Sequence, residues 1–285
     1  MRKAITTCIP VLLTFYLFCS LQSCKIVSNR TGRLLIPFTN DSIATVKLKK
    51  SLNGLTDHDF LTKSFLSKGD IILPYRLLTP VDQQSSKKYP LIITFHNSSR
   101  IGSDNKSQLE PLARLWLDSA VRKKYQGYVV APQFSIRSTN YKMDHQRGIL
   151  TSSAEPQLVA VLDLIDSLVK LYNIDEKRIY LVGYSMGGSS VIDLLNLRPG
   201  EFSAAVAIAP VPQFNNVLSM MNVPIWLIHG TADTENPFAG SERLYQEIGL
   251  HHKTRFWIFD NRTHDNIVST ALLNENIPKW LFSHR

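Results

Sequence analysis

Apolar and polar positions along this chain fall into two alternating kinds of run. Short, nearly unbroken apolar stretches occupy residues 91–95, 127–131, 178–182, 204–209, 224–229 and 255–259, the pattern of strands buried on both faces. Between and after them, residues 109–124, 155–172, 186–197, 241–248 and 270–282 repeat apolar positions every three or four residues, as amphipathic helices do. Leu158, Val161, Leu162, Ile165, Leu168, Val169 and Tyr172, for example, share one side of a helix. Ahead of this series, residues 60–66 and 71–78 flank the turn Lys68-Gly69-Asp70 and predict an antiparallel hairpin. Strands alternating with helices predict an α/β fold: a mostly parallel central sheet covered on both faces, with antiparallel strands at its N-terminal side. In such sheets sites lie at the carboxyl ends of the strands. Two stretches resist the pattern. Residues 24–58 carry few signals and read as a tether with an edge strand. Residues 135–153 are polar and read as a long loop, the kind that often walls a substrate site, with Tyr141 and Met143 as its apolar contacts.

The first residues have another logic. Arg2 and Lys3 precede an apolar stretch from residue 9 to 21, too short to span a bilayer and suited to a cleaved export signal. The following Leu21-Gln22-Ser23-Cys24 resembles the lipobox of bacterial lipoproteins, which implies a leader over residues 1–23, lipid attachment at Cys24 and a membrane-anchored envelope protein; a plainly secreted or periplasmic protein and an uncleaved anchor are the alternatives. The remaining cysteines, Cys8 and Cys19, fall inside the leader. A domain over residues 59–285 therefore has no disulfide, cysteine nucleophile or thiolate metal site.

The net charge of +9 changes the picture little, because Lys and Arg are scattered and no nucleic-acid-binding motif accompanies them; no nucleic acid partner is expected. With 285 residues and 44% hydrophobic content the chain suffices for one ordinary α/β domain.

Candidate chemistry centres on Gly183-Tyr184-Ser185-Met186-Gly187, between a predicted strand and a predicted helix. A serine on so sharp a turn holds strained backbone angles, and glycines two before and two after it let strand and helix pass closely. The turn lifts the Ser185 hydroxyl out of the sheet and offers the Met186 N–H to a developing oxyanion. Downstream, Asp233 follows the strand ending at His229-Gly230, with Glu235 as an alternative acid, and His264 follows the strand 255–259. Nucleophile, acid and base in that order is the order α/β-hydrolases use. His96 and His229 end buried strands and are expected to pack beneath the loops they start; His251 and His252 read as surface residues, and no metal or organic cofactor is assigned.

The loop His96 to Asn105 resembles the His-Gly-x-Gly-x-x-Gly-x-Asp-Asn loop of the prolyl-oligopeptidase-like carboxylesterases within the α/β-hydrolase superfamily, and similarity continues through residues 73–77, 128–133, 178–188, 228–240 and 280–282. The resemblance implies an α/β-hydrolase fold with Ser185 as nucleophile, His264 as base and Asp233 as orienting acid. It implies oxyanion donors at the N–H groups of Met186 and Ser98, or Asn97 beside it. The family's glycine after the histidine is Asn97 here, so a left-handed position or a close approach to substrate is at issue. The implied activity is hydrolysis of small or carbohydrate-linked acyl esters. A serine peptidase of the prolyl-oligopeptidase type, and a surface lipoprotein that binds glycan with weakened catalysis, are the alternatives.

Overall fold

A computed structural model of the chain describes residues 32–249 and 253–285. The leader with Cys24, and His251 with His252, lie outside the described residues. The chain opens with β1 (Arg33–Ile36) and α1 (Ser42–Gly54), then β2 (Phe60–Leu66), β3 (Ile72–Leu78) and β4 (Tyr89–Phe95). Next come α2 (Pro111–Arg114), α3 (Ser119–Lys124), β5 (Tyr128–Pro132), β6 (Thr139–Asp144), β7 (Ile149–Ala154) and α4 (Pro156–Leu171). The second half runs β8 (Ile174–Tyr184), α5 (Met186–Leu197), β9 (Ala204–Ile208), α6 (Val217–Met220), β10 (Ile225–Gly230), α7 (Phe238–Ile248), β11 (Thr254–Phe259) and α8 (Asn276–Phe282).

Nine strands form one sheet in the order β1-β11-β10-β9-β8-β4-β5-β3-β2. From β1 to β5 every pairing is parallel; β3 runs antiparallel to β5, and β2 antiparallel to β3 with Phe60 opposite Leu78. The sheet separates two apolar layers. Leu91, Ile93 and Phe95 of β4 face one layer with Leu158 and Ile165 of α4 and Leu244 of α7, while Ile92 faces the other with Trp116, Ile277 and Leu281. Burial on both faces explains why the parallel strands read as apolar runs.

Four segments differ from the sequence expectation. The stretch read as a tether with an edge strand does hold such a strand, β1, parallel to β11, but it also contains the helix α1, which buries only Thr45 and Leu52 and so leaves little periodic signal. The single helix expected over 109–124 is broken. Pro111 starts α2, a 3-10 turn covers Leu115–Leu117, and Asp118 leaves the helical region at φ −56°, ψ 127°, where its side chain accepts the N–H groups of Ala120 and Val121 to cap α3. The loop expected over 135–153 is largely the β6–β7 hairpin, paired from Thr139–Ala154 to Asp144–Ile149. Asp144 accepts the N–H groups of Gln146 and Arg147, and Gly148 takes φ +67°, which closes its turn. The last helix begins at Asn276, after a run of turns from residue 270.

Candidate active site

Ser185 stands between β8 and α5 at φ 58°, ψ −121°, outside the ordinary allowed regions, and its N–H donates to the Ile208 carbonyl at 2.9 Å. The flanking glycines make the turn possible. A Cβ on Gly183 would lie 2.2 Å from the Gly187 carbonyl oxygen, and one on Gly187 would lie 2.3 Å from that of Phe95 at the end of β4. The turn is thus wedged against the strand from which the His96 loop departs.

His264, on the polar loop that follows β11, places Nε2 2.8 Å from Ser185 Oγ and Nδ1 2.7 Å from Asp233 Oδ2. A carboxylate only accepts, so Nδ1 carries the proton and Nε2 is free to accept from the serine hydroxyl. The Tyr184 hydroxyl donates to the His264 carbonyl at 2.9 Å, and its ring lies 5.1 Å from the imidazole. All three side chains are buried. The structure therefore brings Ser185, His264 and Asp233 into one hydrogen-bonded series. Glu235 does not take the orienting position. It is 62% exposed and stands 3.9 Å from Nε2, on the opposite side of the ring from Asp233.

Asp233 has further partners. Oδ1 accepts the N–H groups of Glu235 and Asn236 at 3.0 and 2.9 Å. His229 Nε2, 2.8 Å from the Asn236 carbonyl and therefore protonated, lies 3.2 Å from Oδ2. Burial pushes the Asp233 carboxyl up, but the hydrogen bonds from His229, His264 and Asn236 outweigh it and hold the group well below the usual carboxylate range. His229 does pack beneath the loop it starts, as the sequence suggests, with Nδ1 accepting from Ser241 at 2.7 Å; its contact with Asp233 had no sequence signal.

The His96 loop corrects one expectation. Asn97 has φ −79°, an extended conformation that makes no demand for glycine. Its N–H is unavailable to an oxyanion, because it donates to Glu110 Oε2 at 3.1 Å. The N–H groups of Ser98 and Met186 find no acceptor among the described residues. His96 is a buried structural imidazole: Nδ1 donates to the Asn97 carbonyl at 2.7 Å and Nε2 accepts the Phe134 N–H at 3.0 Å. Burial pushes its pKa down to about 4.

A cleft of about 380 Å³ opens over Ser185, lined by Ser98, Arg137, Asn140, Tyr141, Glu235 and Asn236. The β6–β7 hairpin forms one wall and is pinned to α5 by polar contacts. Asp193 accepts from Thr139 Oγ1 at 2.5 Å, Ser152 Oγ at 2.6 Å and Gln213 Nε2 at 2.8 Å, while Tyr141 bonds Ser189 at 3.0 Å. Met143 does not join Tyr141 at the cleft; it is half exposed and borders a separate cavity near the hairpin tip. Among the described residues no three His, Cys, Asp or Glu side chains cluster as a metal site would require.

The fold and the turn have counterparts. The dienelactone hydrolase family profile matches residues 116–270. Prolyl endopeptidase FAP of Bos taurus is 27% identical over 248 residues, 74% of this chain, and the chain spans 31% of that relative's length. The bifunctional acetylxylan esterase/xylanase XynS20E of Neocallimastix patriciarum is 36% identical over 73 residues, 26% of this chain and 11% of that protein. Among solved structures, that of a thermostable esterase superposes with a TM-score of 0.71 at 27% identity, covering 79% of this chain and 63% of the other.

Proposed function

Because the chain belongs to the dienelactone hydrolase family, with an α/β-hydrolase fold, we propose that it is a serine-dependent carboxylic ester hydrolase acting through an acyl-enzyme. The observation that carries this reading is the hydrogen-bonded series Ser185–His264–Asp233 built on a strained strand-to-helix turn. Ser185 Oγ attacks the ester carbonyl carbon as His264 Nε2 takes its proton. The oxyanion that forms accepts the N–H groups of Met186 and Ser98. Collapse breaks the bond to the alcohol, which leaves with the proton from His264; water then enters, gives its proton to His264 and releases the acid by the same route. Asp233 holds the imidazole in the required tautomer throughout.

Small acyl esters, carried by carbohydrate, are the proposed substrates. The polar walls of the cleft and the segment similar to an acetylxylan esterase support this choice. Peptidase action is the second reading, favoured by the likeness to a prolyl endopeptidase over 248 residues. The test is hydrolysis of p-nitrophenyl acetate, acetylated xylan and a Gly-Pro p-nitroanilide by wild type, Ser185→Ala and His264→Ala. Release of acetate that falls about 10⁶-fold in both variants, with the anilide intact, is the expected outcome. Anilide cleavage would select the peptidase, and wild-type rates equal to those of the variants would leave a glycan-binding protein. Export and lipid attachment at Cys24 belong to the proposal as well. Expressed in a bacterium, the full chain should incorporate labelled palmitate and sediment with membranes, and Cys24→Ala should do neither.

A further inference from the structure

The loop that would hold the oxyanion is fastened from behind by a carboxylate with no counterpart in the sequence reading. Glu110 precedes Pro111 at the start of α2, and its side chain is only 15% exposed. Oε2 accepts the Asn97 N–H at 3.1 Å; Oε1 accepts Asn97 Nδ2–H at 2.8 Å and Arg100 Nε–H at 3.2 Å. One carboxylate thus grips the loop at both ends of its 3-10 turn, Ser98–Arg100. Asn97 completes the grip from within, its Oδ1 accepting from Ser99 N–H at 2.8 Å and Ser99 Oγ at 2.7 Å.

These bonds determine where the Ser98 N–H points. Glu110 fixes the peptide plane between His96 and Asn97 through its N–H. The next plane, between Asn97 and Ser98, is held at its carbonyl end by His96 Nδ1–H at 2.7 Å and by the Arg100 N–H at 3.1 Å. In a trans peptide the N–H lies opposite the carbonyl, so anchoring the Asn97 carbonyl inward turns the Ser98 N–H outward. It emerges on the loop that borders the cleft over Ser185, where Ser98 is a wall residue. The same contact occupies the Asn97 N–H, so the loop has one free donor there and not two.

We propose that Glu110 is a positioning residue for the reaction: by clamping Asn97 and Arg100 it aims the Ser98 N–H at the developing oxyanion. This rests on the ester hydrolase reading given above. It also gives the Asn97 side chain a role, since it supplies the second hydrogen bond by which Glu110 holds the loop. Burial raises the Glu110 pKa, and the hydrogen bonds from Asn97 and Arg100 oppose that rise.

The experiment compares wild type with Glu110→Gln, Asn97→Gly and the double variant. Turnover of p-nitrophenyl acetate should fall about 10- to 100-fold in Glu110→Gln while KM changes less than about threefold, a fraction of what a whole oxyanion donor supplies. Affinity for a short alkyl boronic acid, whose tetrahedral Ser185 adduct places an oxygen where the oxyanion forms, should fall in step with kcat. The double variant should lose little beyond the worse single one, because both changes release the same clamp. A merely structural glutamate would lower the unfolding midpoint and leave kcat and boronate affinity unchanged in the folded fraction; that result overturns the proposal while the ester reading stands. Amide exchange at Asn97 on the same samples judges the clamp even if no ester is turned over. Faster exchange in Glu110→Gln is expected, and unchanged exchange refutes the clamp.

Discussion

The two oxygens of Asp233 face four donors: the N–H groups of Glu235 and Asn236, the Nδ1–H of His264, and the Nε2–H of His229 that it shares with the Asn236 carbonyl. A carboxylate has about four lone-pair directions, and here each faces a donor. No position is left to receive a proton, so the imidazolium formed in the proposed reaction keeps its own. Asp233→Asn should test this sharply. Its amide nitrogen can avoid the two backbone N–H groups only by facing the histidines, and there it donates to His264 Nδ1 and drives the proton to Nε2. A fall in kcat of about 10⁴ with KM little changed is expected, from steady-state kinetics on an activated ester. A raised KM with kcat unchanged would show that the acid merely shapes the cleft. At this scale the sequence was informative where chemistry follows a strand: Ser185, Asp233 and His264 each stand on a loop after an apolar run. It was silent where a role depends on a contact made only in the folded chain. Glu110 lies 13 positions from Asn97, and Asp233 meets His229 only because the loop curls back on its own strand.

Among the elements, the β6–β7 hairpin shows how a strand escapes notice. Its residues are mainly Thr, Ser, Asn, Lys and Asp, because one side meets solvent and the other meets a buried polar stripe on α5 formed by Ser189, Ser190 and Asp193. Apolar periodicity cannot report a packing made of hydrogen bonds. α1 escapes for a different reason, since few of its residues are buried, whereas α4 and α5 were plain from their apolar repeat. The stripe has a consequence for pH. Burial pushes the Asp193 carboxyl up to about 6, against hydrogen bonds from Ser152, Thr139 and Gln213. Between about pH 4 and 6 the folded chain holds a proton that the unfolded chain has released, so this contribution to stability is full at the acid end and is lost as pH rises through 6. His96, pushed down to about 4, works the opposite way, adding stability as pH rises from about 4 to 6.5. The two nearly cancel in the whole protein, and a difference experiment separates them. Relative to Asp193→Asn, wild type should gain ~2 kcal/mol in urea unfolding as pH falls from 7 to 4. A gap that does not change with pH would refute the buried carboxyl as its source.

For the molecule as a whole, the order of strands explains how residues 185, 233 and 264 meet. β8, β10 and β11 are near neighbours running in one direction, so the loops after them open on the same edge of the sheet. That much follows from the alternation of apolar runs and helical repeats. The position of β1 does not, because a four-residue strand with one exposed position carries too little pattern to name its partner. It pairs with β11, and the chain just after it reaches the loop that carries His264. Arg262 Nη2 donates to the Thr39 carbonyl at 2.7 Å and pairs with Asp41, while the Arg262 carbonyl accepts the Ala232 N–H at 3.1 Å. The loop is thus tied on one side to the segment after β10 and on the other to residues more than 220 positions earlier in the chain. Contacts so distant in sequence close late, after the shorter loops have formed. The strands and helices between them can assemble into a nearly complete sheet while this loop is still untethered. During synthesis, then, β1 has no partner strand until residues 254–259 have been made, and the loop that carries His264 can be tied down only when both ends of the chain are present.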